Sequence, residues 1–310
     1  MAEGKVQGVL EAIVSRILVA DGAMGTQLHA AGLELGACGE QWNITHPDSV
    51  LAIQRGYVEA GSDCLITQTF GASSINLARH GVAGEAEAIN RAGVEIARRA
   101  FGDRPGFVLG DIGPFGGLLK PFGTVTPDEA RAAFRQQATA LVAAGVDGII
   151  IETQTSLDEL RLALEAAREA GAACIIGSVA FDITRNGRDA RTMMGVTPEK
   201  AAEFLQAAGA HIAATNCGTG VDVDWIAKIL TRYRTACSLP LMAKPNAGKP
   251  VLEEGRWVYK QSPEEMAAGM EKIIDAGARI IGACCGSTPE HIRLFRAIVD
   301  RRDAARISSN

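Results

Sequence analysis

The sequence predicts an α/β fold, a single (β/α)8 or TIM barrel, with its active site at the C-terminal ends of the strands. Three observations predict it: strand signals recur about every 38 residues in this 310-residue chain, the strands lack polar alternation, and helical patterns separate them. Strands without alternation are typical of parallel sheets covered on both faces. We expect the barrel to occupy residues 1–303 and a flexible tail to occupy residues 304–310.

Ala-Gly pairs precede five of the predicted strands. The glycine of such a pair fits the left-handed cap that ends many helices, and the apolar, β-branched run after it fits a buried strand. Three more strands follow the same rhythm without the pair. The eight predicted strands start near residues 17, 63, 107, 148, 174, 212, 241 and 280.

Helical spacing of apolar residues predicts a helix after most of these strands. Four helices open with Ser or Thr followed by Pro, at Thr126, Thr197, Ser262 and Thr288, which supplies a capping hydroxyl and a proline in the first turn. An open doubly wound sheet is the alternative, but no Gly-x-Gly-x-x-Gly motif follows the first strand. The predicted helices cover residues 47–60, 126–144, 157–169, 198–208, 222–235, 262–275 and 288–302.

The composition indicates an ordinary globular protein and argues against several partners. The net charge is −5 and no block of Lys or Arg could follow a phosphate backbone, so we expect no nucleic acid partner. We expect no membrane association either, because no apolar run approaches the roughly 18 residues that cross a bilayer and the N-terminus lacks the apolar core of a signal peptide. Seven cysteines suit free or metal-bound thiols better than a disulfide framework, which predicts a cytoplasmic protein.

Polar side chains collect where the predicted strands end, and three cysteines are among them. Cys217 ends the sixth strand, and Cys284 and Cys285 end the eighth. Zinc prefers four tetrahedral ligands, and a catalytic site commonly leaves the fourth for water or substrate. Adjacent residues in a regular strand face opposite ways, so the pair can face one metal only if the strand becomes a loop, which Gly286 permits. A vicinal disulfide and ordinary buried cysteines are the alternatives.

Two carboxylates at strand ends are candidates for catalysis and substrate binding. Glu152 ends an apolar run, where a carboxylate is costly unless it binds something, so we expect it to hold a substrate cation rather than a structural ion pair. Asp21 is a candidate of the same kind. The turn after it offers backbone N–H groups to an anion, although it could also be a plain tight turn. The turn comprises Gly22, Ala23, Met24, Gly25 and Thr26.

Seven motifs, in order, resemble the homocysteine S-methyltransferase family, and the resemblance covers nearly the whole chain. The motifs are DGAMGT, ITQTFGAS, GDIGPFG, IIIETQTSLDEL, ATNCG, AKPNAG and GACCGSTPEHI. Within the family the chain is most similar to the N-terminal homocysteine-binding module of cobalamin-dependent methionine synthases. The stretches that begin at Trp42, Phe134 and Pro245 carry this closer similarity.

The resemblance implies a zinc-dependent methyltransferase that activates the thiol of homocysteine as a zinc-bound thiolate and methylates it to methionine. It implies that Cys217, Cys284 and Cys285 hold Zn²⁺. It also implies that homocysteine is bound by the turn of residues 21–26 and by Glu152. Asn246, assigned to the same substrate site, would lie beside the metal and complete the metal's ligand shell when substrate is absent.

The closest resemblance implies methylcobalamin as the methyl donor. Corrinoid-binding modules usually carry an Asp-x-His-x-x-Gly motif, and none of the five histidines here has Asp two positions before it. We therefore expect a corrinoid protein to supply the methyl group in trans. S-methylmethionine and betaine are the alternative donors. A non-enzymatic protein with a structural zinc or a redox thiol pair is the alternative of another class, but no fourth Cys or His lies at a predicted strand end to close such a zinc site.

Overall fold

Eight parallel strands form one barrel in the computed structural model, which describes residues 8–253 and 256–308. The other four strands form two antiparallel hairpins outside the barrel, β6–β7 and β10–β11. In chain order the strands are β1 (Leu18–Val19), β2 (Cys64–Ile66), β3 (Phe107–Ile112), β4 (Gly148–Gln154), β5 (Ile175–Val179), β6 (Asp182–Ile183), β7 (Ala190–Arg191), β8 (Ile212–Asn216), β9 (Leu241–Lys244), β10 (Pro250–Glu253), β11 (Arg256–Tyr259) and β12 (Ala278–Ile281).

The barrel strands are ordered β1-β12-β9-β8-β5-β4-β3-β2, and each neighbouring pair is parallel. A parallel bridge between Ala20 and Cys64 joins the first strand to the second and completes the ring. Every predicted strand start lies within about two residues of an observed barrel strand. The prediction of a single (β/α)8 barrel is therefore confirmed, whereas the two hairpins were not predicted.

Helices surround this ring, and the seven predicted ones are all present. The last helix runs further than expected, because it continues through residues 304–308, which we had assigned to the tail; residues 309–310 lie outside the described residues. No helix in the described part of the chain could cross a membrane. The helices are α1 (Val9–Ser15), α2 (Gly25–Ala30), α3 (Trp42–Thr45), α4 (Pro47–Glu59), α5 (Ser74–Ala78), α6 (Ala86–Phe101), α7 (Pro127–Ala143), α8 (Leu157–Glu169), α9 (Pro198–Ala207), α10 (Val223–Ala236), α11 (Pro263–Asp275) and α12 (Pro289–Ser308).

Hydroxyl caps begin several of these helices as the sequence predicts. The side chains of Thr126, Thr197 and Ser262 each accept a hydrogen bond from the backbone N–H three residues later. Such a cap satisfies one of the N–H groups that the first turn leaves without a partner, and losing it costs about 1 kcal/mol. These caps fix where each outer helix begins relative to its strand.

The side chains inside the barrel are apolar, except for a polar layer at the C-terminal mouth. Helix α1 packs against this interior core through Val9, Ala12 and Ile13. The apolar level just below that layer consists of Leu109, Ile150, Ile176, Ala214 and Met242. Because side chains alternate along a strand, the residue two positions later on each strand also points inward. At this upper level the side chains are Asp111, Glu152, Ser178, Asn216 and Lys244.

Glu159 on α8 fixes the loop that follows β3. Its Oε1 accepts a hydrogen bond from the backbone N–H of Phe115 at 2.7 Å, and burial raises the pKa of Glu159 from 4.5 to about 7. Between these two pH values the native carboxyl keeps a proton that the unfolded chain releases, so the native state binds more protons. The contribution of Glu159 to stability therefore falls as pH rises through this window.

Replacing Glu159 with Gln should remove this pH dependence, because the amide oxygen can still accept from Phe115 and carries no charge. The free energy of unfolding of the wild type relative to Glu159→Gln should fall by about 3 kcal/mol between pH 4.5 and pH 7. Urea titrations of both proteins across this range measure it. A difference that stays constant with pH would contradict the assignment.

Candidate metal and substrate site

Three cysteine sulfurs meet at the C-terminal mouth of the barrel. Cys217 directly follows β8, and Cys284 and Cys285 lie in the loop after β12. The Sγ atoms of Cys217 and Cys284 each lie 4.0 Å from Sγ of Cys285, and all three lie within 4.8 Å of one another. All seven cysteines are free thiols, so the adjacent pair forms no disulfide in this structure.

The spacing of the sulfurs fits a single tetrahedral metal ion. Zn–S bonds of about 2.3 Å separate tetrahedral sulfurs by about 3.8 Å. The contact with Cys284 lowers the pKa of Cys217, but the contact with Cys285 and burial outweigh it and raise the pKa to about 12. The contact with Cys217 raises the pKa of Cys284 well above its ordinary value. Three crowded thiols of this kind stay protonated at neutral pH unless a cation binds them and stabilises the thiolates.

Left-handed backbone at two positions turns the sulfurs toward one point. Cys217 has a φ of 57°, which is uncommon for a residue other than glycine and is often found at functional sites. Gly286 has a φ of 81°, and a Cβ there would lie 2.2 Å from Cβ of Tyr259. Glycine is therefore required directly after the cysteine pair, where the strand has become a loop.

The turn after Asp21 is bonded to the cysteine loop through Ser287. Its hydroxyl accepts from the backbone N–H of Ala23 at 2.9 Å and donates to the carbonyl of Cys284 at 2.8 Å. The hydroxyl of Tyr57 donates to the carbonyl of Ala23 at 2.6 Å. The turn and the cysteine pair consequently form one rigid unit, although β1 and β12 belong to opposite ends of the sequence.

Gly22 has no room for a side chain in this unit. An added Cβ would lie 2.6 Å from Oγ of Ser287 and 2.7 Å from Cε1 of Tyr57. We expect Gly22→Ala to lower the free energy of unfolding by roughly 1–3 kcal/mol, as overpacking does. Gly25→Ala is the matched control for stability, because its Cβ would meet no atom within 4 Å. Urea denaturation of both variants tests this, and equal stabilities would contradict the steric argument.

Below the turn, a buried lysine lies between two buried carboxylates. Nζ of Lys244 is 3.2 Å from Oδ1 of Asp21 and 3.5 Å from Oε1 of Glu152. The second oxygen of Asp21 accepts from the backbone N–H of Ile66 at 2.7 Å. Burial lowers the pKa of Lys244, but the two carboxylates outweigh it and hold the pKa above its ordinary value. The lysine is therefore charged, and Asp21 has both oxygens engaged.

One cavity of about 270 Å³ joins these groups. Its wall includes residues 21–26, Glu152, Lys244 and all three clustered cysteines. Asn246 is buried beside the cluster, and its Nδ2 donates to the carbonyl of Gly218 at 3.3 Å, but it does not line the cavity. Its contact with a substrate therefore stays a prediction.

Two polar residues at the mouth were not predicted as site residues. One is Lys244, which ends β9 and pairs with Asp21. The other is Asn216, which links β8 to β5 and β4, because its Oδ1 accepts from Oγ of Ser178 at 2.6 Å and from the backbone N–H of Thr153 at 3.1 Å. Counting two positions on from the apolar level of each strand could have identified both residues as inward-facing.

This combination of fold and motifs agrees with a known protein family. The sequence model of the family described as homocysteine S-methyltransferase matches residues 18–299. The chain belongs to the homocysteine S-methyltransferase family. The match includes both strand ends that supply the three cysteines, so the resemblance seen in the motifs is confirmed.

Relatives within this family cover most of the chain. The methionine synthase of Mycobacterium tuberculosis is 33% identical over 316 residues, which is 94% of this chain, and that of Mycobacterium leprae is 32% identical over 318 residues. The chain spans 25% of the length of each of these two proteins. The metallated form of the Escherichia coli homocysteine methyltransferase MmuM has a TM-score of 0.73 at 24% identity, covering 91% of this chain and 96% of MmuM. This structural similarity supports the barrel fold.

Proposed function

We propose that this chain binds Zn²⁺ and homocysteine and transfers a methyl group to the homocysteine sulfur, forming methionine. The observation that supports the proposal is that three converging thiols line the same cavity as a set of buried acidic groups. An acceptor with a thiol at one end and an amino acid group at the other matches both halves of this cavity. Family membership supports the same acceptor.

The metal would be held by Cys217, Cys284 and Cys285. Zinc bound there would supply a Lewis acid that keeps a substrate thiol deprotonated at neutral pH. The chain's own contribution is to hold the three sulfurs at metal-binding distance through the left-handed Cys217 and the glycine after Cys285. A rigid ligand set of this kind limits where a substrate sulfur can lie.

The amino acid end of the substrate would lie against the turn and Glu152. Oε1 of Glu152 lies 3.5 Å from Nζ of Lys244 but accepts no hydrogen bond within the described part of the chain, so it can receive the substrate ammonium group. Backbone N–H groups between Met24 and Thr26 would face the substrate carboxylate. Asp21, which is bound to Ile66 and Lys244, would act as a positioning residue for that turn.

The methyl donor in this proposal is a methyl-corrinoid carried by a separate protein. The similarity to methionine synthases supports it. The cavity of about 270 Å³ suits a small amino acid, so a corrinoid would approach across the open mouth of the barrel. S-methylmethionine and betaine are the alternative donors, and either is small enough to enter.

A donor panel tests the function. Zinc-loaded protein and homocysteine are incubated in parallel with methylcobalamin, S-methylmethionine or betaine, and methionine is quantified by mass spectrometry. We expect methionine to form with methylcobalamin and to depend on both zinc and homocysteine. Methionine from S-methylmethionine or betaine alone would replace the corrinoid in the proposal. No methionine from any donor, with zinc fully retained, would overturn the proposed transfer.

A further inference from the structure

Two carboxylate oxygens in the barrel mouth are buried and accept no hydrogen bond. They are Oδ1 of Asp111, a residue that is 4% exposed as a whole, and Oε1 of Glu152, a residue that is 7% exposed as a whole. Neither has a donor among the residues that the structure describes. A buried oxygen without a donor costs about 1–3 kcal/mol, and more if it is charged. Both oxygens are therefore expected to meet a donor when the site is in use.

These two oxygens belong to the same cavity wall. Asp111 lies on β3 and Glu152 on β4, which are neighbours in the barrel, and Asp111 pairs with Ile150 in their register. Alternation along the strand then turns Glu152 to the same side as Ile150, toward the interior. After burial itself, the charge of Glu152 is the largest cause that raises the pKa of Asp111 well above its ordinary value. Oε1 of Glu152 lies 3.5 Å from Nζ of Lys244, whereas Asp111 has no cation within ion-pair distance in the described part of the chain.

The donors and the one cation of this wall already have partners, and Lys244 is shared between Asp21 and Glu152. Lys244 is the one basic residue in the described lining of the cavity, and its hydrogen bond goes to Asp21. Glu40, another acidic residue of the wall, accepts from the backbone N–H of Gly71 at 2.8 Å. The wall therefore holds four carboxylates and one lysine, and Asp111 takes part in none of the ion pairs among the described residues.

We propose that Asp111 is a second substrate-binding residue and that it holds the α-ammonium group of the acceptor together with Glu152. A primary ammonium group brings one positive charge and three N–H donors, which satisfies both unpartnered oxygens at once. The site then selects α-amino acid thiols over thiols of the same length without an amino group. This inference rests on the proposed function and adds a residue and a selectivity to it.

The backbone of Asp111 is fixed independently of its carboxylate, so an isosteric substitution should leave the strand intact. Its N–H donates to Oγ1 of Thr67 at 2.9 Å, and its carbonyl accepts from Oγ1 of Thr69 at 2.8 Å. Asp111→Asn preserves both bonds and the volume of the side chain, but it removes the charge and places an N–H₂ group near the ammonium.

The test compares homocysteine with 4-mercaptobutyrate, which has the same thiol and carboxylate but no amino group. Binding to zinc-loaded protein is measured by titration calorimetry, with zinc content determined on each sample. In Asp111→Asn, homocysteine should bind about 10-fold more weakly or worse, and 4-mercaptobutyrate should change by less than about 2-fold. Glu152→Gln should show the same selective loss.

Glu40→Gln is the matched control, because it removes one negative charge from the same wall at a carboxylate that already has a donor. Both acceptors should stay within about 2-fold of wild type in this variant. Unchanged homocysteine binding in Asp111→Asn, or an equal loss for both acceptors, would overturn the assignment of Asp111. A wild-type protein that binds zinc but not homocysteine would overturn the proposed function, and this inference with it.

Discussion

Cys217→Ala is expected to abolish both zinc retention and methyl transfer. The substitution removes one of three sulfurs that lie within 4.8 Å of one another and leaves two ligands, which is too few for a stable zinc site. Zinc per protein should fall from about one to near zero after dialysis against a mild chelator, and methionine formation should fall below detection. Metal analysis and the donor assay measure the two losses separately.

Cys237→Ala makes the same chemical change at a cysteine outside the cluster. Cys237 is buried at the C-terminal end of α10, and Cys217 is half-buried. This variant should keep zinc and activity. A Cys217→Ala protein with full zinc and activity would rule out the proposed metal site, and loss of zinc in both variants would point to a general structural effect.

Cys217→Gly separates the role of the sulfur from the strain of the backbone. The φ of 57° at this position is costly for alanine and nearly free of cost for glycine. We expect the glycine variant to be more stable than the alanine variant in the absence of metal, and equally unable to retain zinc. Such a result would assign the metal loss to the missing ligand alone.

The barrel strands were predictable from the sequence because they are covered on both faces and five of the eight follow a helix that ends at an Ala-Gly pair. Helix α6 was not predicted, because its start lacks the main helix-start signals. Its N-cap is Glu85, whose side chain makes no capping bond, and no Ser/Thr-Pro pair marks its start. The hairpins β6–β7 and β10–β11 were missed because they are short and depend on pairing within loops rather than on an apolar period.

The three cysteines were predictable because active sites of barrel enzymes lie at the C-terminal ends of the strands, and each strand end can be located in the sequence by itself. Charge pairing across the barrel was not predictable in this way. Lys244 meets Asp21 across 223 residues of sequence, from β9 to β1, and β12 lies between these two strands in the ring. Only the closed barrel brings the two side chains together, so a partner for either one cannot be read from its local sequence.

Replacing Lys244 with methionine is expected to be among the most destabilising single changes in the barrel. The variant would leave Asp21 and Glu152 buried without their cation, and removing one partner of a buried ion pair costs about 3–5 kcal/mol. We expect a loss of free energy of unfolding in this range, measured by urea denaturation at pH 7. Lys272→Met is the matched control, since Lys272 pairs with Asp224 on the exposed surface and should contribute less than about 1 kcal/mol.

The double variant Lys244→Met, Asp21→Asn distinguishes an uncompensated charge from lost packing. If the cost of Lys244→Met arises from the unpaired carboxylate of Asp21, neutralising that carboxylate should restore roughly half of the lost free energy, because the charge of Glu152 stays uncompensated. Additive losses would instead show that the two side chains contribute independently. The double variant should also bind homocysteine, since the asparagine can still accept the hydrogen bond from Ile66 that positions the turn. Recovery of stability together with homocysteine binding would identify Lys244 as the counter-ion of the turn.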